Sequence, residues 1–199
     1  MPPPQYVIIA GNIGTGKTTA VQNVNVLVDK SIAFYEDRDI YLSKFYREPQ
    51  KYAFLNQLAY SLQYLNQAVE ISKQDTVVVQ DRSIYDTHQV FSEMRLHDGM
   101  ISKTEFQLLE RIYAASKLIV NPTLMVMLDA SVEVAYNRFL KRAEEQEKGL
   151  PRDLLIELRE AYRAWYQEFD LCEKILIQTD QMEPSAVAKS IVTAIAAKG

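Results

Sequence analysis

Near the start of the chain, Gly11-Asn12-Ile13-Gly14-Thr15-Gly16-Lys17-Thr18, followed by Thr19, has the spacing of a loop that binds nucleotide phosphates. Glycines let such a loop turn its backbone N–H groups towards an anion, and the helix behind it adds its positive end. Lys17 can reach β- and γ-phosphates, and the Thr18 hydroxyl can ligate Mg²⁺. An apolar run, Tyr6 to Ala10, precedes the loop, and Val21, Val24 and Leu27 follow at helical spacing. That context separates it from a glycine-rich turn carrying a solvated lysine. The loop speaks for nucleotide phosphates in general and does not distinguish a kinase from a GTPase or a motor.

Two further segments place charge at the ends of apolar runs. Ser31 to Phe34 leads into Tyr35-Glu36-Asp37. A carboxylate at Glu36 can take the proton of a hydroxyl that attacks the γ-phosphate, which is general-base work. A solvated acidic turn fits the same residues equally well. Thr76 to Val79 leads into Gln80-Asp81-Arg82-Ser83. Asp81 can hold Mg²⁺ directly or through water, and Arg82 can hold the acceptor hydroxyl beside Glu36. The alternative is a turn with Ser83 as a helix cap. Further on, Arg138 and Arg142 stand one helical turn apart, ahead of Glu144, Glu145, Glu147 and the breaker Gly149-Leu150-Pro151. They read either as a salt-bridged solvent face or as a lid that neutralises phosphate charge.

These groups need a frame, and the apolar pattern supplies one. Short apolar runs at 6–10, 31–34, 76–79, 124–128 and 175–177 are solid rather than alternating, as in strands buried on both faces. Helical spacing fills 49–73, 104–118, 132–143, 153–169 and 184–197. Strand–helix alternation predicts an α/β fold: one domain over 1–199, with a five-stranded parallel sheet flanked by helices. In such sheets ligands bind beyond the carboxyl ends of the strands, where Glu36, Asp81 and the glycine loop would all lie. Strand order is not legible from the pattern.

Composition narrows the class. The chain has 199 residues, of which 48% are hydrophobic and 24% charged, with a net charge of −4. Nothing here points to nucleic acid, and no run approaches the ~18 apolar residues of a membrane span. The N-terminus lacks the charge and apolar core of a secretory signal. One cysteine, Cys172, excludes an internal disulfide, and a reducing, cytoplasmic setting is expected. Two histidines and one cysteine speak against structural zinc, and Cys172 reads as a small apolar filler.

In their order and spacing, several segments together resemble the deoxynucleoside kinase family, specifically its bacterial deoxyadenosine/deoxyguanosine branch. They are the glycine loop, Tyr41-Leu42-Ser43-Lys44-Phe45-Tyr46, Phe54-Leu55-Asn56-Gln57, Gln80-Asp81-Arg82-Ser83-Ile84-Tyr85-Asp86 and Arg138-Phe139-Leu140-Lys141-Arg142. The resemblance implies a P-loop kinase with a short helical lid at about 138–151, usually a homodimer. It implies transfer of the γ-phosphate of ATP, with Mg²⁺, to the 5′-hydroxyl of a small-molecule deoxynucleoside, in nucleotide salvage. It further implies that Glu36 is the base and Arg82 the arginine beside it. Tyr46 and Glu147 would hold the sugar 3′-hydroxyl, Gln57 would read the base edge and Phe91 would stack on the base. Arg138 and Arg142 would be lid arginines.

This chain departs from that pattern. Two residues are missing between Glu36 and the Tyr41 segment. Thr87 replaces an acid, Tyr64 stands where an arginine is common, and Glu144 stands where the lid often has an arginine. Arg47-Glu48-Pro49 is similar to a thymidylate kinase signature but sits inside another alignment. Two rival readings remain at this level: a nucleoside monophosphate kinase, and a nucleotide-binding subunit without catalysis.

Overall fold

A computed structural model describes residues 5–37, 40–142 and 151–197. Five strands form one parallel sheet: β1 (Gln5–Gly11), β2 (Ile32–Phe34), β3 (Val77–Asp81), β4 (Leu124–Asp129) and β5 (Glu173–Gln178), in the order β2-β3-β1-β4-β5. β1 is central, with Ile9 opposite Asp81 of β3 and Val126 of β4.

The solid apolar runs have a simple cause. Side chains alternate across a strand. On one face Tyr6, Ile8 and Ala10 pack under Tyr60 and Tyr64 of α3 (Pro49–Ile71) and under Leu158, Tyr162 and Trp165 of α8 (Arg152–Glu168). On the other, Val7 and Ile9 pack under Ala20, Val21 and Val24 of α1 (Lys17–Leu27) and under Val187, Ala188 and Ile191 of α9 (Pro184–Ala196). Both faces of the central strand are covered, so its apolar run is unbroken.

The connections between these elements carry the cavity walls. α2 (Ile40–Arg47) lies between β2 and α3 and was not legible from spacing. After β3 come α4 (Ile84–Asp86), a π-helical turn over Thr87–Ser92, and α5 (Glu93–His97). Ser83 caps α4: its hydroxyl accepts from the Tyr85 amide, while Asp86 Oδ1 accepts from the Ser83 amide at 2.7 Å. α6 (Lys103–Lys117) packs on α3, and α7 (Val132–Arg142) packs on α8. The expected helices thus agree with α3, α6, α7, α8 and α9 to within about two residues at each end.

Candidate active site

The glycine loop begins where β1 ends. Gly14 has φ +80°, and a Cβ there would lie 2.1 Å from the Ala135 carbonyl oxygen of α7. Gly16 caps α1 at φ 94°. Close contact and left-handed backbone together require glycine. Asn12 braces the loop from inside: its Oδ1 accepts from the Ile13 amide at 2.7 Å, and its Nδ2 donates to the Leu155 carbonyl of α8 at 2.8 Å. Lys17 Nζ donates to the Asn12 carbonyl at 2.8 Å. Burial, reinforced by the Arg82 charge, lowers its pKa from 10.5 to about 7.

Glu36 and Arg82 follow β2 and β3, which are neighbours in the sheet. Arg82 Nε lies 3.0 Å from Glu36 Oε2, and the Tyr64 hydroxyl donates to the same oxygen at 3.1 Å. Arg82 adopts a left-handed φ of 60°, which costs a non-glycine residue about 1 kcal/mol or more. Its surroundings over-determine that conformation. Its amide donates to the Ile9 carbonyl at 3.0 Å, Nη1 donates to the Tyr162 hydroxyl at 2.6 Å, and the guanidinium lies 4.7 Å from the centroid of Phe91. Tyr162 in turn donates to Asp86 Oδ2 at 2.8 Å. Burial raises the Glu36 pKa above 4.5, with Arg82 opposing, Asp81 adding to the rise, and Lys17 and the Tyr64 hydrogen bond opposing. Its side chain stays 26% exposed and faces an open cavity.

That cavity, about 510 Å³, lies beyond the carboxyl edge of the sheet. Ile13, Gly14, Gly16, Lys17, Thr18 and Thr19 form its floor, and Glu36, Asp81 and Arg82 one side. Tyr46, Gln57 and Phe91 are among the residues that line the rest. Thr18 Oγ1 donates to Asp81 Oδ2 at 2.5 Å, so a hydroxyl and a carboxylate meet beside the loop. Hard oxygen donors at that place fit Mg²⁺, which keeps several waters and takes few protein ligands. A second cavity of about 510 Å³ adjoins the loop between Thr15 and Thr19 and the chain at Asp180–Pro184. Arg142 lines both cavities; Arg138 lines the second, where it donates to Thr179 Oγ1 at 2.9 Å and to the Thr179 carbonyl at 2.6 Å.

Most of the expected site residues therefore meet in one place. Gly11, Asn12 and Thr15 shape the loop rather than lining the first cavity. Glu147 and Glu144 lie outside the described residues. In the Asp81-Arg82-Ser83 segment Ser83 caps a helix, while its neighbours Asp81 and Arg82 line the cavity. Sequence reasoning missed Tyr162 and Asp86, which hold Arg82, and it took Tyr64 only as a departure. It also missed Asp129, which accepts from Arg159 Nε at 2.9 Å, Arg163 Nη2 at 2.6 Å and Gln178 Nε2 at 2.9 Å. A tyrosine at helical core spacing carries no mark of a polar task. Nor does an acid just inside a cap.

Comparison with known proteins places the chain in a family. The model of the family described as "Deoxynucleoside kinase" matches residues 7–198. A deoxyadenosine kinase of Dictyostelium discoideum is 30% identical over 165 residues, covering 82% of this chain and 67% of that protein. A deoxyguanosine kinase of Lactobacillus johnsonii is 29% identical over 190 residues, covering 89% of this chain and 83% of that protein. A deoxyadenosine/deoxycytidine kinase of Bacillus subtilis is 24% identical over 187 residues, covering 92% and 86%. The solved deoxyadenosine kinase of M. mycoides superposes with a TM-score of 0.80 at 16% identity, covering 96% of this chain and 99% of that one, and so shares the fold.

Proposed function

The chain belongs to the deoxynucleoside kinase family, and from that premise we propose that it transfers the γ-phosphoryl group of ATP to the 5′-hydroxyl of a purine deoxynucleoside, as a step of nucleotide salvage. The observation that carries the reading is the Glu36–Arg82 pair, which shares one cavity with the glycine loop on one side and with Gln57 and Phe91 on the other.

Glu36 accepts the proton of the 5′-hydroxyl. The freed oxygen attacks the γ-phosphorus, the bond to the β–γ bridging oxygen breaks, and ADP departs. Arg82 holds Glu36 and faces the reacting oxygens from the same cavity. The loop amides and Lys17 hold the donor phosphates. Thr18 and Asp81 would hold Mg²⁺, which when bound neutralises phosphate charge. Gln57 and Phe91 receive the base, Tyr46 and Glu147 the sugar. The second cavity, with Arg138 and Arg142 at its edge, takes the remainder of ATP. Transfer of this kind rests on positioning and charge, and the left-handed, over-determined Arg82 supplies both.

The enzyme acts as a homodimer in the cytoplasm. Leu55, Leu62 and Val69 recur at seven-residue spacing on α3, and each is about a third or more exposed. Such a stripe suits a helix seam between two copies. Among the described residues no helix is long and apolar enough to cross a membrane.

The deciding assay offers the four deoxynucleosides with ATP and Mg²⁺ and scores the 5′-monophosphate. A purine deoxynucleoside gives the highest kcat/KM. Turnover only with deoxynucleoside monophosphates as acceptors, or with none, overturns the reading.

A further inference from the structure

Arg95 of α5 is 5% exposed and lines the wall of the first cavity. Its partners are weak. Nη1 lies 3.6 Å from Asp98 Oδ2 and 3.9 Å from Met100 Sδ, the guanidinium lies 4.9 Å from the centroid of Phe45, and Nε has no hydrogen-bond partner among the described residues. A buried guanidinium with an unused donor is costly in a folded protein unless something else completes it. On the same wall, Asn56 is 4% exposed and its Oδ1 also lacks a partner among the described residues.

The local backbone explains how Arg95 comes to this wall. Thr87, Phe91 and Arg95 are four residues apart, and all three line the cavity. In an unbroken α-helix a spacing of four drifts by about 40° at each step. The wider π turn over Thr87–Ser92 absorbs that drift and keeps the three on one side. Ser92 fixes the turn to α3, its hydroxyl lying 3.1 Å from the Thr87 carbonyl and 3.2 Å from Gln57 Oε1. Arg95 thus shares a wall with Phe91 and with Gln57, the residues proposed to receive the base.

Gln57 and Asn56 can present either a donor or an acceptor, whereas a guanidinium can only donate. The atom of the base that meets Arg95 must therefore be an acceptor. We infer that Arg95 is a specificity-determining residue that selects a 6-oxopurine deoxynucleoside, such as deoxyguanosine or deoxyinosine, over deoxyadenosine, whose exocyclic amine would face another donor. The inference rests on the proposed acceptor pocket and adds which purine it prefers. Guanine offers O6 and N7 side by side to a guanidinium, and a matched pair of that kind is worth about 1–3 kcal/mol of discrimination.

The test compares kcat/KM for deoxyguanosine, deoxyinosine, deoxyadenosine and 2-aminopurine deoxyriboside in the full chain and in Arg95→Met, which keeps an apolar stem over Phe45 and removes the donors. The wild-type chain favours the two 6-oxo substrates. In the variant the ratio of kcat/KM for deoxyguanosine to that for deoxyadenosine falls about 5- to 150-fold, through KM more than kcat. Equal losses with all four substrates would make Arg95 a packing residue and overturn the inference. Should Arg95→Met fail to fold, the wild-type series decides. Deoxyinosine near deoxyguanosine, with 2-aminopurine deoxyriboside far below, upholds it, and the reverse order sinks it. If the chain phosphorylates no nucleoside, the proposed function fails first; base selection is then read from the thermal shift each nucleoside produces, and no advantage of deoxyguanosine over deoxyadenosine ends the inference as well.

Discussion

Glu36 and Arg82 meet at 3.0 Å although 45 residues lie between them, because β2 and β3 are sheet neighbours whose carboxyl ends stop at the same edge. The contact joins a carboxylate able to take a proton to a cation able to hold it in place. Glu36→Gln keeps the hydrogen-bonding shape and removes the basicity. It lowers kcat by about 10²–10⁴-fold. The thermal shift produced by ATP stays within the wild-type range, and near-normal turnover would remove Glu36 from the role of base.

Tyr64 donates to the oxygen of Glu36 that also faces Arg82. A hydrogen bond to the ionised form favours it, so loss of the bond raises the Glu36 pKa further. In Tyr64→Phe the acid limb of the kcat/KM profile moves to higher pH, while the rate above that limb changes little. An unmoved limb would show that another group controls it.

Lys17 is held at a pKa of about 7 by burial. A bound polyphosphate adds negative charge around the ammonium and raises that pKa. At pH 8 the free loop carries mostly neutral Lys17, so ATP binding takes up close to one proton. Calorimetry in two buffers of different ionisation enthalpy measures the uptake directly; none at pH 8 would refute it. The sign for stability follows from the same shift. Between about pH 7 and 10.5 the unfolded chain binds more protons at Lys17 than the ligand-free fold does, so this group adds stability as pH rises through that window.

Gly14 leaves no room for a side chain against Ala135 and sits at φ +80°. Gly14→Ala therefore costs more than about 1 kcal/mol, which in a chain of this size lowers Tm by at least about 2–4 °C. It also weakens ATP binding, since the loop must move away from α7. Unchanged Tm and affinity would show that the loop relaxes freely.

Leu62 stands at the centre of the exposed stripe on α3 and is 44% exposed. Leu62→Glu places a charge in the proposed seam. Sedimentation then shows a monomer where the wild-type chain sediments as a dimer. An unchanged sedimentation coefficient would clear this face of any role in assembly.

The glycine loop and the parallel sheet were legible because each has a local cause: fixed spacing in the first, and strands covered on both faces in the second. Glu36 was only half legible, since an acid after a strand is equally at home in water. What distinguishes it from a solvated turn in the structure is the approach of Arg82 and Tyr64, both distant in sequence. Tyr162 was hidden for the opposite reason. Its ring packs in the core like its neighbours, and only the hydroxyl at its tip contacts Arg82 and Asp86. The wall formed by Thr87, Phe91 and Arg95 depends on a π turn, and no residue type announces one. Strand order follows from packing among the helices and left no trace in the periodicity.

The bond from Asn12 to the Leu155 carbonyl lies seven residues along α8 from the Tyr162 hydroxyl. That distance is about two turns, or roughly 10 Å of rod. One helix thus touches the glycine loop at one point and Arg82, the partner of Glu36, at the other. The glycine loop and the Glu36–Arg82 pair are therefore braced against one and the same helix.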